Sequence, residues 1–196
     1  DYTLTGDSLN FDNLNKKGFA KGNVELVSKN DETILNGDFG QYNGKAGRSK
    51  VWGHALTRTV ISKDTLFMTA DTLYSVEIQV DSLAKKPKKS VAQADTNAQK
   101  PRQLIGYKNV LLYKKDIQSK CDSLIYNSLD STITFLKKPI IWSGKYQMEA
   151  DSIVAQLINQ KLRTMYLKAK SFVIAQDTVF NFNQVKGRRI TAFFDN

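Results

Sequence analysis

One short phrase returns along this chain about every thirty residues, and it restricts the possible folds more than any other feature of the sequence. The phrase is a small residue, an aspartate, usually a hydroxyl residue, an aliphatic residue, any residue and often an aromatic one. Its copies begin at Gly6, Gly37, Ala70, Cys121 and Ala150. The aspartates are 31, 33, 51 and 29 positions apart, and the longest interval contains a polar insertion whose removal restores the period. Such self-similarity predicts stacked copies of one supersecondary unit, each burying its apolar face against its neighbours.

The residues between the phrases have the pattern of β-strands. Apolar and polar residues alternate with period two, as in residues 132–135, and Asn43-Gly44 is a typical hairpin signal. About a dozen strands of five to nine residues are predicted, roughly two per repeat. Residues 156–169 could also form a helical stripe. A hairpin turning at residues 159–161 is preferred, because other copies turn at equivalent positions.

Residues 84–103 interrupt the repeat with a different composition. They hold two of the three prolines, no aromatic residue and a net charge of +5. This composition cannot bury enough surface to order itself, so a flexible basic insertion is predicted. Because the period continues across it, residues 1–196 are expected to form a single domain. The chain starts at Asp1 without a methionine, so we expect a fragment of a longer chain, and the missing signal peptide does not bear on the native protein.

The net charge of +10 suits an anionic partner, either phosphate-bearing lipid or nucleic acid. Half of the excess lies in the insertion. No catalytic or metal-binding pattern accompanies it. His54 is the single histidine and is expected to be half-buried and structural, while Cys121 fills a small-residue position and is expected to be buried. The repeated aspartates lie too far apart in sequence for a calcium loop, and are expected to accept hydrogen bonds at strand entrances. No cofactor, metal or enzymatic activity is predicted.

Three segments add a family resemblance to this pattern. They are residues 22–26 (Gly-Asn-Val-Glu-Leu), residues 108–112 (Lys-Asn-Val-Leu-Leu) and the closing residues 186–194 (Lys-Gly-Arg-Arg-Ile-Thr-Ala-Phe-Phe). Together with the repeated Ala-Asp-Thr/Ser-Leu/Ile phrase, they resemble the OstA-like family, the LptA-type proteins of lipopolysaccharide transport. The resemblance runs through nearly the whole chain. The basic insertion and the looser second copy depart from the family pattern.

The resemblance implies a fold, a function and a location. The fold would be all-β, an open antiparallel β-jellyroll folded like a taco. The protein would be non-enzymatic and periplasmic, or associated with the outer membrane, and would carry the acyl chains of lipopolysaccharide in an apolar groove between two sheets. Its partners would be the lipid A part of lipopolysaccharide and other Lpt-type jellyroll proteins stacked through edge strands, with a head-to-tail homo-oligomer as a further expectation.

Two sets of residues follow from that reading. Apolar residues of the later repeats are expected on the inner face, where each methylene withdrawn from water contributes ~0.8 kcal/mol. They are Leu73, Leu124, Tyr126, Ile133, Phe135, Trp142, Met148, Ile153, Met165, Leu167, Phe172, Ile174, Phe180 and Phe182. Basic residues are expected at the groove rim, facing lipid A phosphates. They are Lys137, Lys138, Arg163, Lys168, Arg188 and Arg189.

Two other functions remain open at this point. A structural β-repeat scaffold would have a closed core and no lipid ligand. A basic nucleic-acid-binding module would lose affinity steeply with salt. The second is disfavoured because no single strand is seen to interleave aromatic and basic residues in the pattern that such modules use. The lipid carrier is therefore the leading hypothesis and the scaffold is the alternative.

Overall fold

The computed structural model describes residues 2–28, 33–61, 64–79, 100–159, 161–178 and 181–194. These residues form fourteen β-strands. In chain order they are β1 (Tyr2–Thr5), β2 (Ser8–Asp12), β3 (Lys17–Ser28), β4 (Thr33–Asn43), β5 (Arg48–Ile61), β6 (Asp64–Glu77), β7 (Arg102–Lys114), β8 (Ile117–Asn127), β9 (Thr132–Leu136), β10 (Ile140–Ser143), β11 (Tyr146–Glu149), β12 (Ser152–Ile158), β13 (Lys161–Gln176) and β14 (Phe182–Phe193). The described ranges contain no helix long and apolar enough to cross a membrane.

All fourteen strands belong to one antiparallel sheet. From β3 to β8 each strand pairs with the next, and β12 and β13 form the predicted hairpin. The predicted all-β stack of two-strand repeats is therefore confirmed. The predicted insertion at residues 84–103 lies largely outside the described residues. Its last two residues, Arg102 and Gln103, begin β7 and therefore belong to the sheet. On either side of the undescribed residues 80–99, β6 pairs directly with β7.

The sheet bends along one line, which we call the corner. At the corner two consecutive residues of one strand stand opposite a single residue of the next, and the register shifts. Both residues of each pair have positive φ, between 46° and 74°, a conformation rare outside glycine. The pairs are Gly22-Asn23, Gly53-His54, Lys108-Asn109, Lys137-Lys138 and Ala169-Lys170. Such consecutive left-handed residues sharply redirect a strand.

The corner divides the sheet into two wings. Wing 1 contains β2, β9, β12 and residues 17–21, 39–43, 48–52, 72–77, 102–107, 123–127, 161–168 and 189–193 of the long strands. Wing 2 contains β1, β10, β11 and residues 24–28, 33–37, 55–61, 64–70, 110–114, 117–121, 171–176 and 182–187. The edges of the wings opposite the corner are called the lips.

The inner faces of the two wings pack against each other. Tyr2 of wing 2 and Tyr42 of wing 1 bring their ring centroids to 5.7 Å. A Cβ on Gly106 of wing 1 would lie 3.3 Å from Met68 Sδ of wing 2. Period-two alternation sends every second side chain of each strand into this contact, which contains the hydrophobic core. Phe135 is fully buried there.

Candidate functional site

The candidate site is the space between the inner faces of the wings. A small cavity lies there, lined from wing 1 by Leu104, Leu124, Tyr126 and Ile133, and from wing 2 by Thr59, Leu66, Met68 and Leu112. Its free volume is about 20 Å³, room for about one water molecule. Both wings therefore contribute apolar walls to the cavity.

Nine of the predicted lining residues lie on the inner face. They are Leu73, Leu124, Tyr126, Ile133, Phe135, Met148, Ile153, Met165 and Leu167. All except Tyr126, which is half-buried, are at most 5% exposed. Leu124, Tyr126 and Ile133 border the cavity, whereas the other six fill the core between the wings. Contact of any of the nine with a ligand stays a prediction.

Four predicted lining residues lie on the outer face instead. Trp142 pairs with Gln118 and Gln147, on the face opposite to buried Ile141. Its indole Nε1 donates a hydrogen bond to Gln147 Oε1 at 2.9 Å. Apolar character alone does not decide the face of a strand, because the cross-strand register does.

The other three residues on the outer face lie in β13 and β14. Phe172 and Ile174 alternate with inward Val173, and Phe182 pairs with Gln176 two positions further along the same outer face. These residues and Trp142 therefore leave the set of candidate lining residues. Phe180 lies outside the described residues.

The six predicted rim cations are all exposed, but most are far from the lips. Lys137 and Lys138 form a corner pair, and Arg188 stands opposite the last corner pair. Lys168 and Arg189 are cross-strand neighbours on the outer face of wing 1, next to the corner. Only Arg163 lies near a lip, where its Nη1 donates to the carbonyl oxygen of Phe194 at 3.3 Å. Five of the six therefore lie at or beside the closed side of the groove.

The repeated aspartates hold the corner. We call each run of the chain across the corner a pass. Each aspartate carboxylate contacts a side chain of the corner pair on the pass that follows it. The distances are 3.0 Å from Asp7 to Asn23 Nδ2, 2.8 Å from Asp38 to His54 Nδ1, 3.1 Å from Asp71 to Asn109 Nδ2, 3.0 Å from Asp122 to Lys137 Nζ and 3.5 Å from Asp151 to Lys170 Nζ. These partners lie on another strand and not beside the aspartate as expected, but at Asp122 the expected bond from a neighbouring hydroxyl is also present, donated by Ser123. His54, expected to be half-buried, has a 92% exposed side chain.

At the fourth corner pair, Lys137-Lys138, these contacts also shift two pKa values. Ser123 Oγ donates to Asp122 at 2.6 Å, and this bond, followed by the one from Lys137, lowers the pKa of the Asp122 carboxyl. The same carboxylate raises the pKa of the Lys137 ammonium. The aspartates that define the repeat thus join successive passes through side-chain hydrogen bonds and salt bridges.

Two cations that the sequence analysis missed lie inside the lips. On wing 1, the side chain of Arg102 is only 13% exposed. Its Nη1 donates to Glu77 Oε1 at 3.1 Å, its Nε donates to Ser75 Oγ at 3.0 Å, and its guanidinium lies 4.7 Å from the centroid of the Tyr2 ring on wing 2. This contact joins the wings at the mouth of the groove. Arg102 was assigned to the insertion, and the alternation of β7 is the signal that could have placed it inside.

The second cation occupies the lip of wing 2. Lys114, with a 14% exposed side chain, lies 3.6 Å from Asp64 and 2.5 Å from Asp116. Each lip therefore carries one largely buried cation with acidic partners.

Other chemistry is sparse among the described residues, where no cluster of metal-ligating side chains occurs. Cys121 is buried as expected, and its withdrawal from water raises the pKa of its thiol to about 12. At neutral pH the thiol is protonated and hence a weak nucleophile.

Comparison with known proteins adds a likeness to a solved structure. The sequence matches no protein-family model and no curated protein. Among solved structures it is similar to that of LptH, the LptA-homologous periplasmic component of the conserved lipopolysaccharide transport device from Pseudomonas aeruginosa. The alignment covers 94% of each chain at 10% identity, with a TM-score of 0.31. A likeness at this score supports no argument about function, which must come from the groove itself.

Proposed function

We propose that this protein is a non-enzymatic carrier that shelters the acyl chains of lipopolysaccharide between its wings, in the periplasm or at the outer membrane. The observation that carries the proposal is the pair of apolar inner faces, joined along the corner and with a cavity between them. The family phrases in the sequence point the same way. Because the described strands do not close into a barrel, the wings can admit a lipid by separating their side chains at the lips, without breaking backbone hydrogen bonds.

Binding would exchange one apolar contact for another. In the described state the free volume of about 20 Å³ is too small for an acyl chain, so the ligand must displace contacts between the wings. Each methylene that enters gains ~0.8 kcal/mol relative to water. The separating wings lose similar burial, so the net affinity per chain is modest. A modest affinity suits a carrier that must also release its cargo.

The lips provide positive charge for the phosphates of such a ligand. Arg102 and Lys114 are the two cations inside the mouth, and both now have carboxylate partners. A phosphate could take the place of Glu77 beside Arg102, since guanidinium groups form bidentate hydrogen bonds with both carboxylate and phosphate oxygens. The rim role is therefore proposed for these two residues in addition to Arg163.

Photocrosslinking from adjacent residues on opposite faces tests the carrier proposal. Leu66 lines the cavity, whereas Phe67, the next residue of β6, is 36% exposed on the outer face. A photoreactive phenylalanine analogue at position 66 should crosslink to lipopolysaccharide in a saturable manner, and the same analogue at position 67 should not. Equal crosslinking at both positions, or none at position 66 in a folded protein, would refute the carrier.

For the partners we propose end-to-end stacking through the terminal strands. The first pass (β1 and β2) and the last (β14) both run from wing 2 to wing 1, and among described strands each pairs on one side only. A copy stacked head to tail would therefore meet its neighbour through parallel strands. Arg188 stands where the other passes from wing 2 to wing 1 carry the corner aspartate, so this junction would bring it to Asp7 of the next copy.

This charge pattern gives the stack a direction. Two copies joined through β14 alone would oppose Arg188 to Arg188, while a head-to-tail junction opposes Arg188 to an aspartate. Arg188→Asp should therefore weaken self-association in sedimentation velocity over a concentration series. Lys186→Asp, an equal charge change on the same strand, should weaken it less. Equal weakening by the two variants would show that net charge, and not the Arg188 contact, controls self-association. A parent chain that stays monomeric would refute the homo-oligomer and leave a different jellyroll protein as the stacking partner.

A closed structural scaffold is the second candidate. The observation in its favour is the tight packing between the wings, where residues such as Phe135, Ile153 and Met165 are fully buried. A scaffold would give no crosslink at position 66 yet retain self-association. The two measurements together separate the candidates.

A further inference from the structure

The outer face of wing 1 has an unusual composition that the groove does not explain. Its side chains form three rows across β3 to β7. The row nearest the corner contains Lys21, Phe39, Trp52, Thr72 and Tyr107, the middle row Phe19, Gln41, Lys50, Tyr74 and Ile105, and the lip row Lys17, Asn43, Arg48, Val76 and Gln103. We call these fifteen residues the aromatic–basic face. They include five aromatic residues and four cations, and none of them is acidic. On β3, Phe19 alternates with Lys17 and Lys21, so the expectation that no single strand interleaves aromatic and basic residues is wrong.

Acidic residues border this face but do not neutralise it. Among the described residues of wing 1, the outer face carries one carboxylate, Asp12, in the adjoining strand β2. Asp12 stands directly opposite Lys17 across β2 and β3, and it also accepts hydrogen bonds from the amides of Leu14 and Asn15 in the β2–β3 turn. The corner aspartates line the opposite border, each held by a corner residue. The outer face of wing 2 differs, because Glu25 and Glu149 lie among its basic residues.

The rings contact each other and the lysines. Phe39 and Trp52 stack at 5.5 Å with a 16° angle between planes, and Phe19 meets Trp52 at 6.2 Å. Lys50 Nζ lies 4.5 Å from the Trp52 centroid, and Lys108 Nζ lies 5.7 Å from that of Tyr107. The indole is thus flanked by two rings and an ammonium group. It offers little free face for stacking a nucleobase or a sugar ring.

A broad, slightly apolar and positively charged surface suits a different partner. Aromatic residues favour the membrane–water interface, and lysine or arginine near an anionic leaflet is attracted by its surface potential. Phe19 and Tyr107 remain more than 40% exposed. At the lip end of the face, Leu14 is 86% exposed in a turn beside Lys16 and Lys17. Exposed apolar residues among cations, of which only Lys17 stands opposite an acid, are the features of a surface that rests on anionic lipid.

We propose that the aromatic–basic face docks this protein onto an anionic lipid bilayer. Lys17, Lys21, Arg48 and Lys50 meet the headgroup phosphates, and Phe19, Tyr107 and Leu14 enter the interface. The groove opens at the lips and this face points away from it, so docking leaves the groove free. The docking surface is independent of the proposed cargo and would hold for a scaffold as well.

Vesicle co-sedimentation tests the docking surface. The full chain is mixed with vesicles of 70% phosphatidylcholine and 30% phosphatidylglycerol, and separately with pure phosphatidylcholine. Binding is expected to the first and not to the second. The double variant Lys21→Gln, Lys50→Gln should bind about 25-fold more weakly, at roughly fivefold per charge. These side chains lie on the surface, so circular dichroism should report an unchanged fold.

A matched variant makes the result specific. Lys120→Gln with Lys186→Gln removes the same charge from the outer face of wing 2 and should change binding by less than about twofold. Phe19→Ser should also weaken binding while leaving the net charge intact. Equal losses in the two double variants, or no effect of Phe19→Ser, would overturn the proposal.

Two further measurements separate the alternatives. Single-stranded oligothymidine that binds more tightly than the anionic vesicles, and loses binding in Lys21→Gln, Lys50→Gln, would assign the face to nucleic acid and refute lipid docking. Lipopolysaccharide crosslinking at position 66 should persist in that variant. Its loss would mean that the face and the groove bind the same molecule, which contradicts an independent docking surface.

Discussion

The corner offers the sharpest test of how the repeat specifies this fold. Gly53 has φ of +71°, and a Cβ added there would lie 2.6 Å from Asp38 Oδ2 and 2.8 Å from Asp38 Cβ. The equivalent position of the last corner is Ala169, which carries its Cβ at φ of 61°. The two positions therefore allow opposite substitutions in one backbone conformation. Gly53→Ala introduces a side chain into the left-handed region, and Ala169→Gly removes one.

The expected magnitudes follow from three contributions. A non-glycine residue in the left-handed region costs about 1–2 kcal/mol. Replacing glycine by alanine also raises the free energy of unfolding by about 0.4–1 kcal/mol, because alanine restricts the conformations of the unfolded chain. At position 53 the new methyl group must also displace Asp38, which then releases His54. Gly53→Ala should thus lower the free energy of unfolding by about 1–3 kcal/mol, while Ala169→Gly should raise it by up to about 1 kcal/mol.

Urea denaturation followed by tryptophan fluorescence and circular dichroism measures both changes. The slope with urea concentration should stay constant, so the midpoint reports stability. Asp38→Ala provides the control, since it removes the obstacle and should reduce the cost of Gly53→Ala. A neutral Gly53→Ala, or a destabilising Ala169→Gly, would refute the view that left-handed corner pairs limit the stability of the stack.

Three further predictions concern the core and the ionisable groups. Phe135→Ala should lower the free energy of unfolding by about 3–5 kcal/mol in urea denaturation, because Phe135 is fully buried between the wings; a loss below about 1 kcal/mol would mean that the wings separate readily. The Cys121 thiol, with its pKa raised to about 12, should resist a disulfide reagent at pH 8 until the protein unfolds, and rapid labelling of the folded protein would contradict its burial. The pKa of Asp122 is lowered in the folded state, so its stabilisation is complete above the ordinary carboxyl pKa of 3.8 and is lost as the pH falls through the lower folded value. Asp122→Asn should therefore flatten the dependence of stability on pH below about 3.8, as measured by urea midpoints at each pH, and an unchanged dependence would remove the corner bond as its cause.

Features with a local cause were predictable from the sequence. Period-two alternation predicted strands and Asn43-Gly44 predicted a turn, because both signals act on neighbouring residues. The β12–β13 hairpin was predicted from the turns at equivalent positions of other copies. Cys121 was expected to be buried from its position in the phrase, and it is. The candidate cavity was only partly foreseen. Leu124 and Ile133 were among the expected lining residues, whereas Arg102 at the mouth was assigned to a flexible segment.

The repeated phrase and the alternation are enough to specify a stack of antiparallel strands with a period of about thirty residues. The face that each strand presents depends instead on pairing with strands far away in the chain, so it is set only when the sheet forms. Trp142 and Phe172 have the apolar character of core residues, yet the cross-strand register turns both outward. The aspartates likewise gain their role from corner residues 15 to 38 positions away. Those partners are brought close only when the strands pair, so no local pattern could reveal them.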